Sequence, residues 1–537
     1  MAGLATSFGS GAMTNSINEI PQSKVLFVIG ANPTEAHPVI GAKMRQALRN
    51  GATLVVADPR KTELAGKAHV WLRLKPGTDI ALINGLMRII IKSGWHDKTF
   101  IESCTSGYEQ VAETVEKYTP DYVENITGVP KHLLFEAAKI YGTAEAAQIF
   151  YTLGITEHVC GTDNVMSLAN LTLLTGNIGK PNAGLNPMRG QNNVQGACDM
   201  GALPNVYPGY QKVDFPMVQD KFEKAWNVKL SNKVGLMIPD MFDKAISGEL
   251  KAMYVMGEDP VLTDGDANHV RKGLKHLDFL VVQNLFLTET AKLADVVLPG
   301  ASFAEKDGTF TNTERRIQLV RQAINPIGNS RPDWRILMDL SNRMGYPMSY
   351  SHPSEIMDEM ASLSPIYAGV SFDRLEASGL QWPVPDKNHP GTQYLHDKGK
   401  FTCGIARFMP IDHQAPGEEP DTEYPFLLST GRILYHYNIT TPGYSKTLTD
   451  FRSEEQAMIH PDDAKRLGIQ NQEIISVSSR RGKVQTKAWI TDRVQPGVIW
   501  MSFHYLATPT NELTSGNLDK TTKTYEYKVC GVKVEKL

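Results

Sequence analysis

The stretch VLFVIGANP, residues 25–33, decides the fold class. Its first six residues form a short apolar run that ends in Gly30, which is typical of a buried parallel strand. A polar turn and a helical stretch closed by Gly51 follow, and a second run of the same kind, ATLVVAD at residues 52–58, ends at Pro59-Arg60. Strands and helices that alternate at this spacing predict a doubly wound α/β sheet, parallel or mixed.

The same alternation returns in the middle of the chain and then gives way to strands. Buried strands are predicted at residues 252–256, 279–283 and 296–298, and a helix at residues 334–344. From about residue 424 the pattern becomes β, with Arg481-Gly482 as a hairpin turn between two short strands. This tail predicts a compact β-barrel of roughly 120–140 residues.

Composition excludes several classes of function. The 537 residues carry 55 Lys and Arg against 58 Asp and Glu, a net charge of −3, without a basic arm for a nucleic-acid partner. No apolar run approaches the roughly 18–20 residues of a membrane span. The five cysteines are scattered and form no C-x-x-C pair. We therefore expect that this chain by itself ligates neither a zinc ion nor an iron–sulfur cluster, and that none of its residues is a metal ligand. Scattered thiols favour a reducing compartment, and hence the cytoplasm.

Three strand ends share one chemical pattern. In open α/β sheets ligands bind at the carboxyl ends of strands, where glycine lets the backbone approach a phosphate and Asp or Asn accepts hydrogen bonds from a ribose or a base. Ordinary strand-capping turns are the alternative, and no G-x-G-x-x-G precedes Asp58 as it would in a dinucleotide fold of the NAD type. The three ends are Gly30-Ala31-Asn32-Pro33, Asp58-Pro59-Arg60 and Gly257-Glu258-Asp259-Pro260, the last followed by Thr263.

One segment is unusually rich in amides. Of the sixteen residues 186–201, NPMRGQNNVQGACDMG, six are Asn, Gln or Arg and three are Gly. Such a composition is unlike that of a core element, and it also differs from a disordered linker. The segment is therefore expected to fold around a polar ligand. Arg189, its one cation, predicts anion binding, with a surface arginine as the alternative.

At this point the residues resemble a family. NPMRGQNNVQGACDMGALP (186–204), TGNIGKPNAG (175–184), GEDP (257–260), LADVVLP (293–299), HPDDAKRLGI (460–469) and YEYK (525–528) are similar to the catalytic subunit of molybdopterin-dependent formate dehydrogenases. The resemblance implies the molybdopterin oxidoreductase fold, similar to that of DMSO reductase. It implies α/β domains at residues 1–191 and 192–395, the second with an excursion at 302–331 toward a further N-terminal domain. A six-stranded double-psi β-barrel would occupy residues 396–537.

The family's chemistry is the two-electron oxidation of formate to carbon dioxide, in either direction, at a molybdenum between two molybdopterin guanine dinucleotides. In this chain the resemblance places Arg189 on the formate carboxylate and Gln191 beside the metal. It implies a first dinucleotide along Gly30, Asn32, Asp58, Arg60, Gly77 and Asp79. It implies a second along Gly257, Glu258, Asp259, Thr263, Gln283, Asn284 and Asp333. From the barrel it implies covering contacts by Arg432, His436, Phe503, Asn511, Tyr527 and Lys528, for which a place in the barrel core or surface is the alternative.

Two departures from the family pattern lead to a hypothesis. The family's [4Fe–4S] domain has no counterpart in these residues, and where the family has C-H-G-P-S-V-A-G-L, with selenocysteine for Cys in some members, this chain starts M-A-G-L. Met1 thus stands at the Val position, with four residues between it and the expected metal ligand. A gene caller that stops at a UGA selenocysteine codon and restarts at a GUG valine codon would produce this start. We therefore expect a selenocysteine enzyme with residues ahead of Met1, where an export signal also stays open, and an inactive 537-residue fragment.

Two other functions stay open from the sequence. One is another molybdopterin oxidoreductase, such as a nitrate or oxyanion reductase, and the other is a non-catalytic relative like the large subunit of respiratory complex I. The electron acceptor also stays open. An iron–sulfur subunit, ferredoxin, a hydrogenase partner, coenzyme F420 or NAD through other subunits all fit.

Overall fold

The structure is a computed structural model that describes residues 1–438 and 445–537. Its residues form two compact units. Unit 1 comprises Met1–Gly190, Pro260–Val270 and Tyr394–Leu537, and unit 2 comprises Gln191–Asp259 and Arg271–Gln393.

The strands of the described residues are β1 Val25–Ile29, β2 Thr53–Ala57, β3 Val70–Leu72, β4 Thr105–Ser106, β5 Ala147–Tyr151, β6 Gly184–Pro187, β7 Val206–Tyr207, β8 Gln211–Lys212, β9 Ala252–Met256, β10 Phe279–Asn284, β11 Val296–Pro299, β12 Gly308–Thr311, β13 Arg316–Val320, β14 Leu380–Gln381, β15 Ala406–Arg407, β16 Phe426–Gly431, β17 Gln456–Ile459, β18 Ile474–Ser478, β19 Lys483–Ile490, β20 Val498–Ser502 and β21 Cys530–Lys536.

The α-helices of the described residues are Ala2–Phe8, Pro33–Ala36, Pro38–Arg49, Asp79–Lys92, Lys98–Cys104, Tyr108–Val115, Pro120–Thr127, Lys131–Gly142, Leu153–Thr156, Gly161–Leu174, Val194–Asp199, Pro216–Trp226, Ile238–Ile246, Pro260–Thr263, Ala267–Lys275, Asp333–Arg343, Pro353–Leu363, Phe372–Leu375, Lys446–Phe451 and Pro461–Leu467.

Unit 1 is organised by a five-stranded sheet in the order β3-β2-β1-β5-β6, in which every neighbouring pair is parallel. All five residues of β1 are buried, as expected for the central strand of a sheet covered on both faces. The helix Gly161–Leu174 is buried on nearly all sides, because its residues are apolar or small around the whole circumference. The predicted doubly wound α/β sheet is confirmed, and all five strands end at one edge.

The barrel of unit 1 has the strand order β16-β20-β17-β19-β18-β21 and is closed, with six strands in residues 426–438 and 445–536. It mixes parallel pairs, β16 with β20 and β17 with β19, with antiparallel ones. Leu428, Ile475, Val477, Ile499 and Val532 fill its interior at 0% exposure. The predicted hairpin turn at Arg481-Gly482 joins β18 to β19, which pair antiparallel from Ser478 opposite Lys483.

Unit 2 contains a second, smaller parallel sheet in the order β11-β10-β9. The sequence predicts three buried strands here, and for the two outer ones that prediction is wrong. Met256 at the end of β9 and Val296 and Val297 in β11 are exposed, whereas Val282 in the central β10 is fully buried. In a sheet of three strands each outer strand has a neighbour on one side only, so its side chains are covered less completely.

Among the described residues, no helix combines the length and the apolar character needed to cross a bilayer.

A close approach between two glycines provides a test of this packing. Gly154 donates its N–H to Gly30 O at 3.1 Å, and a Cβ on Gly154 would lie 2.5 Å from that oxygen. We expect Gly154→Ala to lower the free energy of unfolding by about 1–3 kcal/mol, as overpacking does. The matched control is Gly66→Ala, where an added Cβ meets nothing within 4 Å. Urea unfolding of both variants measures this, and equal stabilities would contradict it.

Candidate functional site

A cleft of about 1030 Å³, partly open to solvent, lies at the carboxyl edge of the five-stranded sheet in unit 1. Residues that follow β1, β2, β3, β5 and β6 line one wall, and residues of the barrel line the other. The structure brings together all six residues predicted for the first dinucleotide, and three of the six predicted barrel residues join them. These nine are Gly30, Asn32, Asp58, Arg60, Gly77, Asp79, Arg432, Phe503 and Lys528.

Several polar groups in this cleft lack a partner within the described part of the chain. Both amide atoms of Asn32, Nη1 of Arg60 and Nδ1 of His37 are shielded from solvent and make no hydrogen bond there. A buried polar atom without a partner costs roughly 1–3 kcal/mol. Such groups suit a polar ligand that would supply the missing hydrogen bonds.

Gly30 and Gly77 shape the backbone around these groups. Both have positive φ, +55° and +82°, a conformation that side chains disfavour. An added Cβ on Gly30 would lie 2.8 Å from the carbonyl carbon of Gly154. The two glycines therefore let the strand-end loops turn sharply where they border the cleft.

Arg60 is held in place on three sides. The backbone N–H of Arg60 donates to Asp58 Oδ1 at 2.8 Å. Its guanidinium lies 4.2 Å over the Trp500 ring, and Nη2 of that group is 3.5 Å from Glu35 Oε2. Burial raises the pKa of Asp58 to about 6, against the opposing effect of Arg60. The cleft thus has a fixed cation beside a carboxyl that resists ionisation, which suits a phosphate next to a sugar hydroxyl. Trp500 has no signal in the sequence that marks it as a site residue.

The barrel wall adds two further cations. Arg432 lies 5.2 Å over the Phe503 ring and donates to Asn438 Oδ1 at 2.7 Å. Lys528 is buried and forms an ion pair with Glu157, while its Nζ is 3.5 Å from Thr430 Oγ1. These contacts give the cleft a positive wall opposite the strand ends.

Arg189 follows β6 at the rim of this cleft, and Gly190 lines it. The guanidinium of Arg189 donates through Nη2 to Gly11 O at 2.7 Å, and its own carbonyl accepts from His37 Nε2 at 2.7 Å. Burial lowers the pKa of His37, which keeps that ring neutral. Gln191, the other predicted catalytic residue, belongs to unit 2 and is exposed there.

The amide-rich segment is largely bonded to the protein itself. In unit 1, Asn186 is 0% exposed, donates to Gln148 Oε1 at 3.0 Å and accepts from Asn15 N at 3.3 Å. In unit 2, Gln195 donates to Asp199 Oδ1 at 2.9 Å and to the Tyr210 hydroxyl at 2.7 Å. The amide of Asn186 and the amide nitrogen of Gln195 are thus bonded to groups of the protein itself, whereas Gln195 Oε1 is shielded from solvent and makes no hydrogen bond within the described residues.

A second group of predicted residues gathers at the carboxyl edge of the three-stranded sheet in unit 2. Gly257 follows β9 with φ +67°, and Asp259 accepts from Thr290 N and Oγ1 at 2.9 and 2.6 Å. Gln283 Nε2 donates to Asp333 Oδ1 at 2.6 Å, and Asn284 Nδ2 donates to the carbonyl of Glu258 at 3.1 Å. The structure thus brings together Gly257, Glu258, Asp259, Gln283, Asn284 and Asp333 in a network of loop contacts.

The remaining predicted residues make structural contacts within unit 1. Asn511 Nδ2 and the Tyr527 hydroxyl donate to the carbonyl of Thr263 at 3.0 and 2.9 Å, so they fix the short helix Pro260–Thr263 to the barrel. His436 is buried, donates from Nε2 to Arg452 O at 2.8 Å, and is not among the residues that line the cleft.

His158 lines the cleft although no sequence pattern marks it. Its Nε2 lies 3.8 Å from Asp79 Oδ2, and both side chains are buried. Burial raises the pKa of Asp79, and the charge of His158 acts in the opposite direction. A lone histidine between a strand and a helix is more often a core residue, so no feature of the sequence marks His158 for selection. Within the described residues no cluster of three or more His, Cys, Asp or Glu has the arrangement of a metal site.

The raised pKa of Asp58 predicts a pH-dependent stability of the cofactor-free chain. Because the pKa rises from 3.8 in the unfolded chain to about 6 on folding, the folded state loses stability as pH increases from 4 to 6. We expect the free energy of unfolding of Asp58→Asn relative to the parent to rise by on the order of 2–3 kcal/mol across this interval. Asp214→Asn, at an exposed position, is the matched control. A difference between variant and parent that stays constant from pH 4 to 7 would contradict the assignment.

Comparisons with known proteins agree with this geometry. Residues 3–343 match the family model Molybdopterin oxidoreductase, and residues 426–531 match the Molydopterin dinucleotide binding domain. The chain is 47% identical to the F420-dependent formate dehydrogenase subunit alpha of Methanocaldococcus jannaschii, over 100% of this chain and 80% of that protein. It is 43% identical to formate dehydrogenase H of Escherichia coli, over 100% of this chain and 76% of that protein.

A solved structure shows the same fold at lower sequence identity. Acetylene hydratase from Pelobacter acetylenicus superposes with a TM-score of 0.79 at 21% identity, over 100% of this chain and 80% of that one. The parallel sheets, the barrel and the two matching family models agree with one another. The chain belongs to the molybdopterin oxidoreductase family.

Proposed function

We propose that this chain is the catalytic subunit of a formate dehydrogenase, which converts HCOO⁻ to CO₂, a proton and two electrons and also runs in reverse. The observation that carries the proposal is likeness along the whole chain, at 43–48% identity, to four formate dehydrogenase subunits. The positively charged cleft and the anchored Arg189 support it. When bound, a molybdenum held between two pterin dinucleotides supplies the centre that accepts the two electrons.

The cleft of unit 1 fits the first dinucleotide. Arg60, Arg432 and Lys528 offer positive charge to a pyrophosphate. Asn32 offers an amide whose oxygen and nitrogen have no other partner in the described residues. The glycine-lined turns leave room for the ligand to approach the backbone.

The loops at the edge of the three-stranded sheet would hold the second dinucleotide. Asp259 and Asp333 supply carboxylate acceptors, and Asn284 at the end of β10 supplies an amide. At Gly257 there is open space where a Cβ would stand. This arrangement repeats, at a second parallel sheet, the chemistry of the first cleft.

Arg189 would bind formate. A guanidinium pairs with a carboxylate through two parallel hydrogen bonds, which would fix the direction of the substrate C–H bond. Both the side chain and the backbone of Arg189 are anchored, by Gly11 O and by His37, so little conformational freedom is lost on binding. The role is positional, since an arginine does not exchange protons at neutral pH. Gln191 would stand beside the reacting centre.

The metal ligand and the path of the electrons complete the proposal. We propose that the protein ligand of the molybdenum is a selenocysteine or cysteine followed by a histidine, and that a [4Fe–4S] cluster passes electrons to an iron–sulfur subunit or ferredoxin. This rests on the likeness of M-A-G-L at residues 1–4 to the end of the family segment C-H-G-P-S-V-A-G-L. Elemental analysis of the full-length holoenzyme tests it, since selenium in proportion to molybdenum supports selenocysteine, iron without selenium supports cysteine, and an absence of iron overturns the cluster.

The fold by itself does not select formate. Acetylene hydratase has the same fold, so other reactions are compatible with this architecture. Nitrate or oxyanion reduction is the competing activity within the family. An assay of the full-length enzyme with formate and with nitrate separates the two.

Replacement of Arg189 tests the formate site. In the full-length holoenzyme, Arg189→Lys keeps the charge but loses the planar pair of donors, so we expect kcat/KM for formate to fall roughly 10- to 100-fold. Molybdenum content should stay unchanged. The matched control is Arg49→Lys, at an exposed position in the last turn of the helix Pro38–Arg49, which should leave kcat/KM unaltered. Steady-state kinetics with a dye acceptor measure this, and a variant with parental kcat/KM would refute the role of Arg189.

The 537-residue chain alone provides a second test. Without the metal ligand and the cluster domain, we expect no formate oxidation by the isolated chain, even when it is produced in a host that makes the cofactor. Turnover by this chain above that of the cofactor-free preparation would contradict the proposed ligand.

A further inference from the structure

Three ionisable side chains meet behind the wall of the unit 1 cleft. His158 Nε2 lies 3.8 Å from Asp79 Oδ2, and His158 Nδ1 lies 3.8 Å from Glu526 Oε1. The side chains are 3%, 7% and 0% exposed, respectively. Asp79 and His158 line the cleft, whereas Glu526 lies behind them. None of the contacts described above requires a histidine at this position.

The charges of this group balance only when the imidazole is protonated. Its Nε2 donates to the carbonyl of Gly154 at 2.9 Å, so that nitrogen carries a proton in either state, and Nδ1 faces Glu526. Burial lowers the pKa of His158, but Glu526 and Asp79 together outweigh burial, and the pKa is raised above 6.5. A neutral ring would leave two buried carboxylates without a countercharge, which is far more costly than a paired arrangement.

Glu526 is committed to its place by the backbone. Its Oε2 accepts from Gly417 N at 2.9 Å and its Oε1 accepts from Val159 N at 3.3 Å. These two bonds fix the carboxyl group of Glu526 beside the ring. Glu526 therefore serves as the fixed partner of His158, and the ring extends this pairing to Asp79.

The other titratable groups nearby do not replace His158. Burial, together with the charges of Asp79, Glu526 and Asp163, raises the pKa of the Cys160 thiol to about 12, so the thiol stays neutral. Asp58 is itself affected by the charge of Asp79. Lys528 already pairs with Glu157. His158 is thus the group that balances Asp79.

We infer that His158 is a positioning residue that holds Asp79 as an ionised acceptor at the cleft surface, and that this acceptor recognises the adjacent N–H donors of a guanine base. The identity of the base rests on the proposed function. A carboxylate accepts from both the ring N1–H and the 2-amino group of guanine, and a pair of such bonds contributes roughly 1–3 kcal/mol of discrimination. Hypoxanthine, which lacks the 2-amino group, offers one donor at this edge.

The test compares GDP with inosine diphosphate on the cofactor-free 537-residue chain, by calorimetry from pH 5.5 to 8.5. The ratio of the two dissociation constants removes the contribution of the phosphates and their own titration. We expect the parent to bind GDP roughly ten-fold more tightly near pH 7 and to lose this preference at the acidic end. His158→Gln keeps a donor for Gly154 O but carries no charge, so its preference should fall toward one near pH 7 and return at higher pH, where Asp79 ionises without help.

Two further variants complete the design. Glu526→Gln removes the other partner of His158 and should move the pH profile in the same direction, which keeps the test decisive if His158→Gln does not fold. The matched control is His413→Gln, at a half-buried histidine that is not among the residues lining the cleft. This control should retain the parental profile.

The outcomes separate the inference from the proposed function. If the parent prefers GDP and His158→Gln retains that preference at every pH, the role of His158 is overturned while the dinucleotide cleft stands. If the parent binds both nucleotides equally, or with a preference independent of pH, Asp79 is not the acceptor and the inference fails. If neither nucleotide binds the parent, the cleft does not hold a dinucleotide and the proposed function loses its support.

Discussion

The hydrogen bond from Gly154 N–H to Gly30 O, 3.1 Å long, joins the loops that follow β1 and β5. These two strands are neighbours at the centre of the five-stranded sheet, so the bond fixes the floor of the cleft. Asn32 lies two residues beyond Gly30, and His158 reaches back to the carbonyl of Gly154. Because neither glycine has a side chain, the two loops approach each other more closely than other residues would allow. This approach sets the distance between Asn32 on one loop and His158 beyond the other.

Burial sets the electrostatic character of this cleft. The pKa values of Asp58 and Asp79 are raised by burial, and each carboxyl has a cation or a histidine that acts against the shift. Arg60 is held in place by the Trp500 ring beneath its guanidinium and by the carboxylate of Glu35. Because Asp58, Arg60 and Asp79 are themselves buried, water screens their charges only weakly, and a phosphate or a base edge would meet them with little reorganisation.

The sequence predicted the architecture well where local signals and tertiary demands agree. β9 was predicted with its exact bounds and β1 to within one residue, because short apolar runs ending in Gly leave few alternatives. β17 and β21 were missed. β17 has only four residues, which pair along their length with β19 and at Met458 alone with β20. In β21 the charged residues Lys533 and Glu535 alternate with buried ones. Pairing with distant strands stabilises both, and a local pattern carries no record of such pairing.

The candidate site divides in the same way. Gly30, Asn32, Asp58 and Arg60 were predictable because strand ends of a parallel sheet are where ligands bind. His158 and Trp500 were not, since each acts through a residue distant in sequence, namely Glu526 for the histidine and Arg60 for the tryptophan. Asn186 shows a limit of composition, because an amide-rich segment does not reveal which of its side chains bond to the protein's own polar groups.

The contrast with acetylene hydratase limits what the scaffold explains. Two chains that are 21% identical share this fold, and one carries a name that refers to hydration rather than to oxidation of formate. The cradle for the dinucleotides therefore does not determine the reaction, which depends on the few side chains that meet the substrate. Arg189 donates to the carbonyl of Gly11, on the segment after the helix Ala2–Phe8. The path of the backbone therefore contributes to its position, and under the role proposed for Arg189, substrate choice would depend on how the first residues of unit 1 pack against β6.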